Sequence, residues 1–559
     1  MIDKKQRAIT ASTFARCWKD DLLASLVVFL VALPLCMGIA IASGAPPEKA
    51  AAVGIITGIV GGLVVGLFAG CTLQVSGPAA GLAVIVGQLV AQHGFATLGL
   101  IIMIAGAVQL AAGLLRLGQW FRAVSPAVIQ GMLAGIGILI FAAQFHVMVD
   151  DAPPGSGAKF GGLINLYTIP EAVWKGLTES IHQAAAGIGV LTILAVVGWA
   201  SLAPKKLKVV PAPLFGVLLA TAAAAVLALD IRYITVPDNL TDAIALPAAG
   251  DWQLLLDWSI VGAGLALAFV ASAESLLTAA AADAMQQHAA RTKYDRELAA
   301  QGLGNLICGW LGALPMTGVI VRTATNVHAG ARTRASTMMH GLWLLMFAAV
   351  FPQILRLIPI ASLAAILVYT GWKLMNPKAV RKLYEFGKGE VAIYAATLVT
   401  VVAVDLLTGI LVGIGLAVAK LIYTFSHLSV RFEEDRDRGR TVLHLEGAAT
   451  FLRLPKLAAA LEAVSSDSEL HVHLEELTYI DHACLDLLMN WEKEHTAMGG
   501  SLVIDWDSVT ARFHKAGKSN GMASQPASGL GAGEANSGLE KADQCVPAGG
   551  QNRPLTHAR

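Results

Sequence analysis

Long apolar runs alternate with short polar connections from about residue 21 to residue 423 of this chain. A helix needs about 20 mostly apolar residues to cross a bilayer, so the pattern predicts about 14 spans, two of them short. The predicted spans begin near Leu22, Ala51, Gly77, Leu98, Ser125, Ala186, Pro211, Trp258, Ala299, Val319, Arg334, Ile360, Val391 and Leu407. The sequence therefore predicts an α-helical polytopic membrane protein with seven spans in each half.

Two of these apolar runs are broken in the same way, in the third span of each half. The segment Ser76 to Gly81 precedes a helical pattern from Leu82 to about Val90, and Leu314 to Gly318 precedes a short one from about Val319 to Ala329. Backbone groups freed by such Gly/Pro breaks are tolerated in lipid only where they line a buried site. Paired breaks are typical of inverted-repeat transporters, and an odd number of spans per half makes the two repeats antiparallel.

Two helices that begin inside the bilayer and point at one spot would attract an anion, because each N-terminus carries roughly half a positive charge. The candidate anion-binding residues are Gln74, Ser76, Gly77, Ala79, Ala80, Gly318, Val319, Ile320 and Arg322. The Ser76 hydroxyl is a candidate cap for the first half-helix. Arg322 has three candidate roles: to add positive charge at the anion site, to pair with a carboxylate, or to brace the second break.

Glu274 lies in the middle of the predicted span that begins near Trp258. A charged side chain at that depth costs about 2.5 to 3.5 kcal/mol on insertion scales, which favours a functional role over a purely structural one. Thr278 lies one turn further on the same face. Together they form a candidate site for a coupling ion, either H⁺ or Na⁺.

Composition excludes several classes of protein. Apolar residues make up 55% of the 559 residues and charged residues only 14%, against about 25% in a typical soluble chain. The net charge of +1 gives no reason to expect a nucleic-acid partner, and the six scattered cysteines predict neither a disulfide framework nor a metal site. No ligand set, activated nucleophile or phosphate loop indicates an enzyme, and we expect no bound cofactor.

The charges of the connections predict the orientation. Positive residues should lie in cytoplasmic loops, and they occur in alternate connections if the N-terminus is cytoplasmic. The predicted cytoplasmic segments contain Lys4, Lys5, Arg7, Arg16 and Lys19; Arg116 and Arg122; Lys205, Lys206 and Lys208; Arg291, Lys293 and Arg296; Arg332 and Arg334; and Lys373, Lys378, Arg381, Lys382 and Lys388. We expect a multi-pass protein of the cell membrane with both termini in the cytoplasm.

The C-terminal part has a different pattern. Predicted strands at Thr441 to Leu445, Leu470 to Leu474 and Ser501 to Asp505 alternate with predicted helices at Leu454 to Val464 and His482 to His495. This order indicates a small cytoplasmic α/β domain. The expected organisation is a cytoplasmic segment at 1–20, a membrane transport domain at 21–426, the α/β domain at 428–514 and a disordered tail at 515–559.

Four passages resemble the SulP family of inorganic anion transporters, which carry a C-terminal STAS domain. They are Leu33 to Gly38 with Gly44 to Glu48; Ser76 to Ala80; Glu274 to Leu277 with Ala282 and Asp283; and Gly318 with Arg322 to Asn326 and Gly330 to Thr333. The resemblance implies a 7+7 inverted repeat, a core domain that moves against a gate domain, an anion held between the third and tenth spans, and a homodimer. The segment from about Ser429 to Phe513 resembles a STAS domain, with Leu474 to Asp481 at its central strand.

The chain departs from the family pattern at a few positions. Leu35 replaces a glutamine, and Val319 and Val321 stand where serine is common, so anion contacts there would depend on backbone N–H groups. His482 follows Asp481 where many STAS domains have serine, so phosphorylation at that serine position is not expected here.

The function predicted from the sequence is secondary active transport of an inorganic oxyanion, sulfate or bicarbonate, coupled to H⁺ or Na⁺ and working by alternating access. A passive anion channel, a sensor that signals through its STAS domain, and a nucleobase carrier of the same fold are the alternatives. Flux without accumulation would favour the channel, and signalling in a transport-dead variant would favour the sensor.

Overall fold

The computed structural model describes residues 2–119, 125–155, 158, 160–204, 210–248, 250–286, 290–435, 440–464, 468–473 and 477–504. The chain divides into two compact units, one that extends to Ile414 and one that begins at Gly415. Several predictions lie outside the described residues: Arg122, the lysines at 205, 206 and 208, Asp505, the residues at 474–476 and the tail at 515–559.

The first unit is built almost entirely of helices. Their bounds are α1 (Ile2–Ala42), α2 (Pro47–Val60), α3 (Gly66–Phe68), α4 (Ala80–His93), α5 (Phe95–Leu114), α6 (Pro126–Met148), α7 (Gly161–Tyr167), α8 (Ile169–Thr178), α9 (Ser180–Leu202), α10 (Ala212–Val226), α11 (Trp258–Met285), α12 (Tyr294–Trp310), α13 (Ile320–His328), α14 (Ala335–Val350), α15 (Pro352–Leu355), α16 (Ile360–Met375), α17 (Pro377–Glu385) and α18 (Lys388–Ala403). A π-helical turn, Gly61–Val65, joins α2 to α3, and α19 (Leu406–Phe425) crosses from the first unit into the second.

Each predicted span start lies within a helix or at most 3 residues before one. In the part of the chain that the structure describes, 7 helices are long and apolar enough to cross a membrane by length and composition. Three shorter apolar helices, α4, α10 and α14, accompany them. The apolar pattern therefore located the helices correctly, and the total of 14 membrane spans stays a prediction.

Helices α5 and α12 pack backbone against backbone. A Cβ atom added at Gly106 would lie 2.8 Å from the carbonyl oxygen of Gly302, and one added at Gly99 would lie 2.9 Å from that of Gly309. Small residues at helix contacts allow this close approach, which favours association in a membrane, where the hydrophobic effect does not drive helices together. This close contact with α5 packs α12 against the rest of the first unit.

The second unit is a small α/β domain, as predicted. Its strands are β3 (Leu428–Asp435), β4 (Arg440–Ala449), β5 (Glu469–His473), β6 (Leu477–Ile480) and β7 (Ser501–Ile504), and its helices are α20 (Leu454–Glu462) and α21 (His482–Ala497). The order is β3-β4-β5-β7, with β3 antiparallel to β4 and the other pairs parallel. Strand β6 pairs in parallel with the end of β4, and the residues at 474–476 between β5 and β6 lie outside the described part of the chain, so the placement of Leu474 to Asp481 at the central strand stays a prediction.

Candidate functional site

The two predicted breaks meet in the interior of the first unit. They form two short antiparallel strands, β1 (Ser76–Gly77) and β2 (Thr317–Gly318), in which Ser76 pairs with Gly318 and Gly77 with Thr317. The N–H of Val319 donates to the carbonyl of Val75 at 2.9 Å and extends this pairing. Segments almost 250 residues apart in sequence thus satisfy each other's backbone groups, as lipid-embedded irregular backbone requires.

A helix begins immediately after each of these strands. Ala79 is the N-cap of α4 and Val319 is the N-cap of α13, and no side chain caps either helix. The hypothesis that Ser76 caps the first half-helix was therefore wrong, because its hydroxyl accepts a hydrogen bond from Gln301 at 2.6 Å. First-turn N–H groups without a side-chain cap need another acceptor. Both helix starts therefore offer donors to an anion.

The predicted anion-binding residues line the place where β1 and β2 pair and the two half-helices begin, which we call the crossing. Ala79 and Val319 are buried, whereas Ala80 is half-buried and Ile320 is 39% exposed. Gly318 packs against the Gln74 amide so closely that a Cβ atom there would overlap it. The start of α13 is thus the most open part of the crossing, and any contact it makes with an anion would come from backbone N–H groups.

Glu274 reaches the same place from α11. A Cβ atom added at Gly81, in the first turn of α4, would lie 2.6 Å from its Oε1 atom, so the carboxylate lies directly against that turn. The Thr317 hydroxyl lies near this carboxylate, whose Oε2 atom is buried with no partner among the described residues. The neighbouring Ser275 accepts a hydrogen bond from the Gly318 N–H at 3.2 Å. Thr278 is buried one turn further on, and its part in an ion site stays a prediction.

Arg322 is fully buried in α13 and braces the break. Its Nη2 atom donates to the carbonyl of Pro78 at 3.2 Å, and its Nη1 atom lies against Gly77, where a Cβ atom would overlap it. No ion pair with Glu274 occurs in the described part of the chain, and the Nε and Nη1 atoms have no hydrogen-bond partner there. Of the three roles proposed for Arg322, the contacts support bracing directly, and its charge remains available to the site.

A second buried carboxylate, Glu297 on α12, was not among the predicted site residues. Its Oε2 atom accepts from the N–H groups of Gly70 and Cys71, both at 2.8 Å. Its Oε1 atom accepts from the amides of Gln74 and Gln301, both at 2.9 Å. Glu297 therefore fixes the extended segment that leads into β1, and it orients two amides beneath the crossing.

The rest of this polar network continues along α12 and α13. Asn305 donates to the carbonyl of Met316 at 3.1 Å and accepts from its N–H at 2.8 Å. Thr323 accepts from the N–H of Val75 at 3.1 Å, and Asn326 donates to the carbonyl of Leu73 at 2.9 Å. Side chains of the second half thus replace the backbone partners that a continuous helix would give to each of the two breaks.

The sequence did contain a signal for this network. Glu297, Gln301 and Asn305 follow one another at four-residue intervals in α12, whose residues from Leu298 onward are otherwise without polar side chains, so the three share one face. Polar residues on one face of a membrane helix face the protein interior rather than lipid. Glu297 was not named in the prediction, because it lies two residues before the predicted span start at Ala299, beside Arg296.

In the second unit, Asp481 caps α21. Its Oδ1 atom accepts from the N–H of Cys484 at 2.9 Å, and its other oxygen accepts from the N–H of Phe451. Burial by itself would raise the pKa of this carboxyl, but the hydrogen bonds from Cys484 and Phe451 outweigh it and hold the pKa below its usual range. His482 is exposed in the first turn of α21, at the position where serine is common.

The sequence and the fold can be compared with known proteins. The sulfate permease family model matches residues 18–397, and a model described as Mlab, STAS domain matches residues 432–516. The Bacillus subtilis protein YvdB, provisionally named as a sulfate transporter, is 29% identical over 528 residues, which are 90% of this chain and 95% of YvdB. The bicarbonate transporter BicA of Picosynechococcus is 27% identical over 442 residues, 74% of this chain and 71% of BicA.

Two solved structures share the fold. The transmembrane domain of a cyanobacterial bicarbonate transporter, BicA, superimposes with a TM-score of 0.59 at 24% identity, over 72% of this chain and 98% of that domain. The murine anion transporter Slc26a9 in its inward-facing state superimposes with a TM-score of 0.65 at 14% identity, over 88% of this chain and 87% of Slc26a9. These likenesses confirm the predicted fold class, a polytopic helical membrane domain followed by a small STAS domain.

Proposed function

Because the chain belongs to the sulfate permease family, we propose that it moves an inorganic oxyanion, sulfate or bicarbonate, across the membrane by secondary active transport. The relatives named above are transporters rather than enzymes, and they divide between the two anions in their names. The proposed cycle is alternating access, in which the anion site is exposed to one side of the membrane at a time.

One observation supports an anion more than any other substrate: two helices start at one buried crossing without side-chain caps. The N–H groups of their first turns and the positive ends of their dipoles converge where β1 meets β2. The buried guanidinium of Arg322 adds a full positive charge, and its Nε and Nη1 atoms have no hydrogen-bond partner among the described residues. A nucleobase would need polar side chains for its edges, whereas Val319 and Ile320 offer apolar ones.

Glu274 is the proposed site of the coupling ion. Moving one negative charge into a cell against 100 mV costs about 2.3 kcal/mol, and a dianion costs about twice that, so a co-transported cation would offset the work. The carboxylate lies against the first turn of α4 and has one oxygen without a partner among the described residues. A proton would bind to that oxygen directly, whereas Na⁺ would need the ionised carboxylate together with further oxygen ligands such as the Thr278 hydroxyl.

The deciding experiment is uptake into proteoliposomes that contain the purified full chain. Labelled sulfate and labelled bicarbonate are tested separately, each with an imposed H⁺ gradient, an imposed Na⁺ gradient or neither, and protein-free liposomes correct for CO₂ that crosses lipid. We expect one anion to accumulate above its external concentration with one of the gradients. Uptake of both anions that never exceeds equilibrium would favour the passive channel, and no uptake under any gradient would contradict the transport proposal.

A matched pair of variants tests the coupling site. Glu274→Gln keeps the shape of the side chain but removes its charge and its proton site, so we expect accumulation to be lost while anion binding is partly retained. Glu171→Gln makes the same change on an exposed side chain of α8 and should accumulate anion normally. Normal accumulation by Glu274→Gln would exclude a coupling role for that carboxylate.

The proposed setting is the cell membrane, with both termini cytoplasmic and two copies forming a homodimer. Mass photometry of the detergent-purified chain measures the oligomeric state, and protease accessibility of the C-terminal unit in sealed vesicles measures the orientation. A monomer, or a C-terminal unit on the outer face, would contradict these parts of the proposal.

A further inference from the structure

The short helix α17, between α16 and α18, carries a basic face. Lys378, Arg381 and Lys382 lie on one side of its 9 residues and all three are exposed. Lys373 and Lys388 flank the helix and are exposed as well. The helix also contains one acidic residue, Glu385, so the three basic groups and one acidic group of α17 give it a net charge of about +2.

The opposite side of α17 is held by the protein. Leu383 is 5% exposed, and Ala379 and Val380 are half-buried. These apolar positions lie about 150° around the helix from the basic ones, which is the separation that an amphipathic helix has when one face packs and the other is free. Among the described residues, Lys378, Arg381, Lys382 and Lys388 form no ion pair, so their charges are available to a partner.

Three exposed aromatic side chains place α17 at the level of the bilayer surface. Trp372, in the last turn of α16, is 64% exposed, and Tyr384 and Phe386 are 60% and 70% exposed. Trp and Tyr are enriched where hydrocarbon meets water, because one part of the ring is apolar and the other is polar. Since the predicted spans that begin near Ile360 and Val391 flank α17 closely in sequence, we expect its basic face to lie near the lipid headgroups.

We propose that the basic face of α17 is a docking surface for anionic phospholipid headgroups. Clusters of Lys and Arg directly beside a membrane helix are attracted to the negative surface of the cytoplasmic leaflet. Lys378, Arg381 and Lys382 supply the charge, and the exposed Trp372 and Phe386 rings supply apolar contacts for the upper parts of the acyl chains. Because α17 connects two helices of the transport unit directly, bound lipid holds the cytoplasmic ends of α16 and α18 at the membrane surface.

Native mass spectrometry of the detergent-purified full chain tests this. The probes are phosphatidylglycerol and phosphatidylcholine with identical acyl chains, titrated separately, and the measured quantity is the ratio of their apparent affinities. The test variant is Arg381→Gln with Lys382→Gln. The matched control is Arg431→Gln with Lys493→Gln, which also removes one exposed Arg and one exposed Lys but lies in the second unit.

Each charge near an anionic surface contributes about fivefold to binding, so the test variant should lose its preference for phosphatidylglycerol by tenfold or more. The control should keep the preference of the unmodified protein, and Lys378→Gln alone should lose about fivefold. Equal binding of both lipids by the unmodified protein would overturn the proposal, as would an equal loss in test and control. The readout involves no transport, so it stands or fails independently of the proposed function.

Discussion

Replacing Gly81 by alanine should displace the Glu274 carboxylate while leaving the fold intact. The new Cβ atom would lie 2.6 Å from Oε1, 2.9 Å from Cδ and 3.0 Å from Oε2 of Glu274. All three atoms belong to the end of a flexible side chain rather than to backbone. The carboxylate can therefore move away, and the first turn of α4 keeps its position.

The size of the displacement follows from these distances. Carbon and oxygen atoms rarely approach closer than about 3.3 Å, so Oε1 must retreat by about 0.7 Å. Alanine is a better helix former than glycine by up to about 1 kcal/mol, which offsets the cost of the movement. Since a misplacement of about 1 Å in a functional site can cost 10²-fold, we expect the rate of anion accumulation to fall at least tenfold with little change in stability.

Initial uptake rates in proteoliposomes and thermal unfolding in detergent measure the two effects. Gly87→Ala is the matched control, because it makes the same change on the same helix, where the nearest neighbour of the new Cβ atom is the Ala42 carbonyl oxygen at 3.9 Å. The control should transport at the normal rate. Normal uptake by Gly81→Ala, or equal impairment of both variants, would refute the argument that Glu274 must sit against this turn.

Three further outcomes follow from the polar contacts. Glu297→Ala leaves four buried N–H donor groups without their acceptor, at about 1 kcal/mol or more each. In Glu297→Gln the new amide can pair with Gln74 and Gln301 after their amides flip, so the thermal midpoint of Glu297→Ala in detergent should fall much further than that of Glu297→Gln. Equal losses would contradict this. Asp481→Ala should weaken hydrogen-exchange protection of α21 by about 1 kcal/mol at neutral pH. Because the folded-state pKa of Asp481 is lowered, its contribution is complete above the unfolded-state pKa of about 3.9 and is lost as the pH falls through the folded-state pKa, so a difference that persists in strong acid would argue against the cap. Burial, and then the neighbouring Asp481, raises the pKa of the Cys484 thiol to about 12, so N-ethylmaleimide should not label it at pH 8 until the protein is denatured, as peptide mass mapping would establish.

The sequence was sufficient for the features that depend on local chemistry. Apolar runs of membrane length located the helices, and the Gly/Pro breaks located both half-helices to within a few residues. Glycine and proline change backbone geometry wherever they occur, so these signals do not depend on tertiary contacts. In the second unit, β3 was not predicted, because it is an edge strand rich in charges.

The partners of the buried polar groups could not be predicted in the same way. The hydrogen bond from Gln74 to Glu297 joins residues 223 positions apart, and the one from Arg322 to Pro78 spans 244. Neither pair has a local signature, since each depends on how the two halves of the chain pack. The prediction placed Gln74 and Arg322 beside the anion, and the fold uses part of each side chain to hold the crossing together.

The two buried carboxylates, Glu297 and Glu274, differ in how many hydrogen-bond donors they accept from. This difference distinguishes a structural group from a candidate ion site. A carboxylate has about four acceptor positions, and Glu297 fills them with two backbone N–H groups on one oxygen and two amides on the other. Glu274 has the Thr317 hydroxyl as its neighbour, and its Oε2 atom has no partner among the described residues. An added cation would have to displace existing donors at Glu297, whereas it could approach Glu274 without breaking a hydrogen bond at Oε2. Glu274 also lies beside the proposed anion site, because its carboxylate lies against the first turn of α4, whose N–H groups would bind that anion.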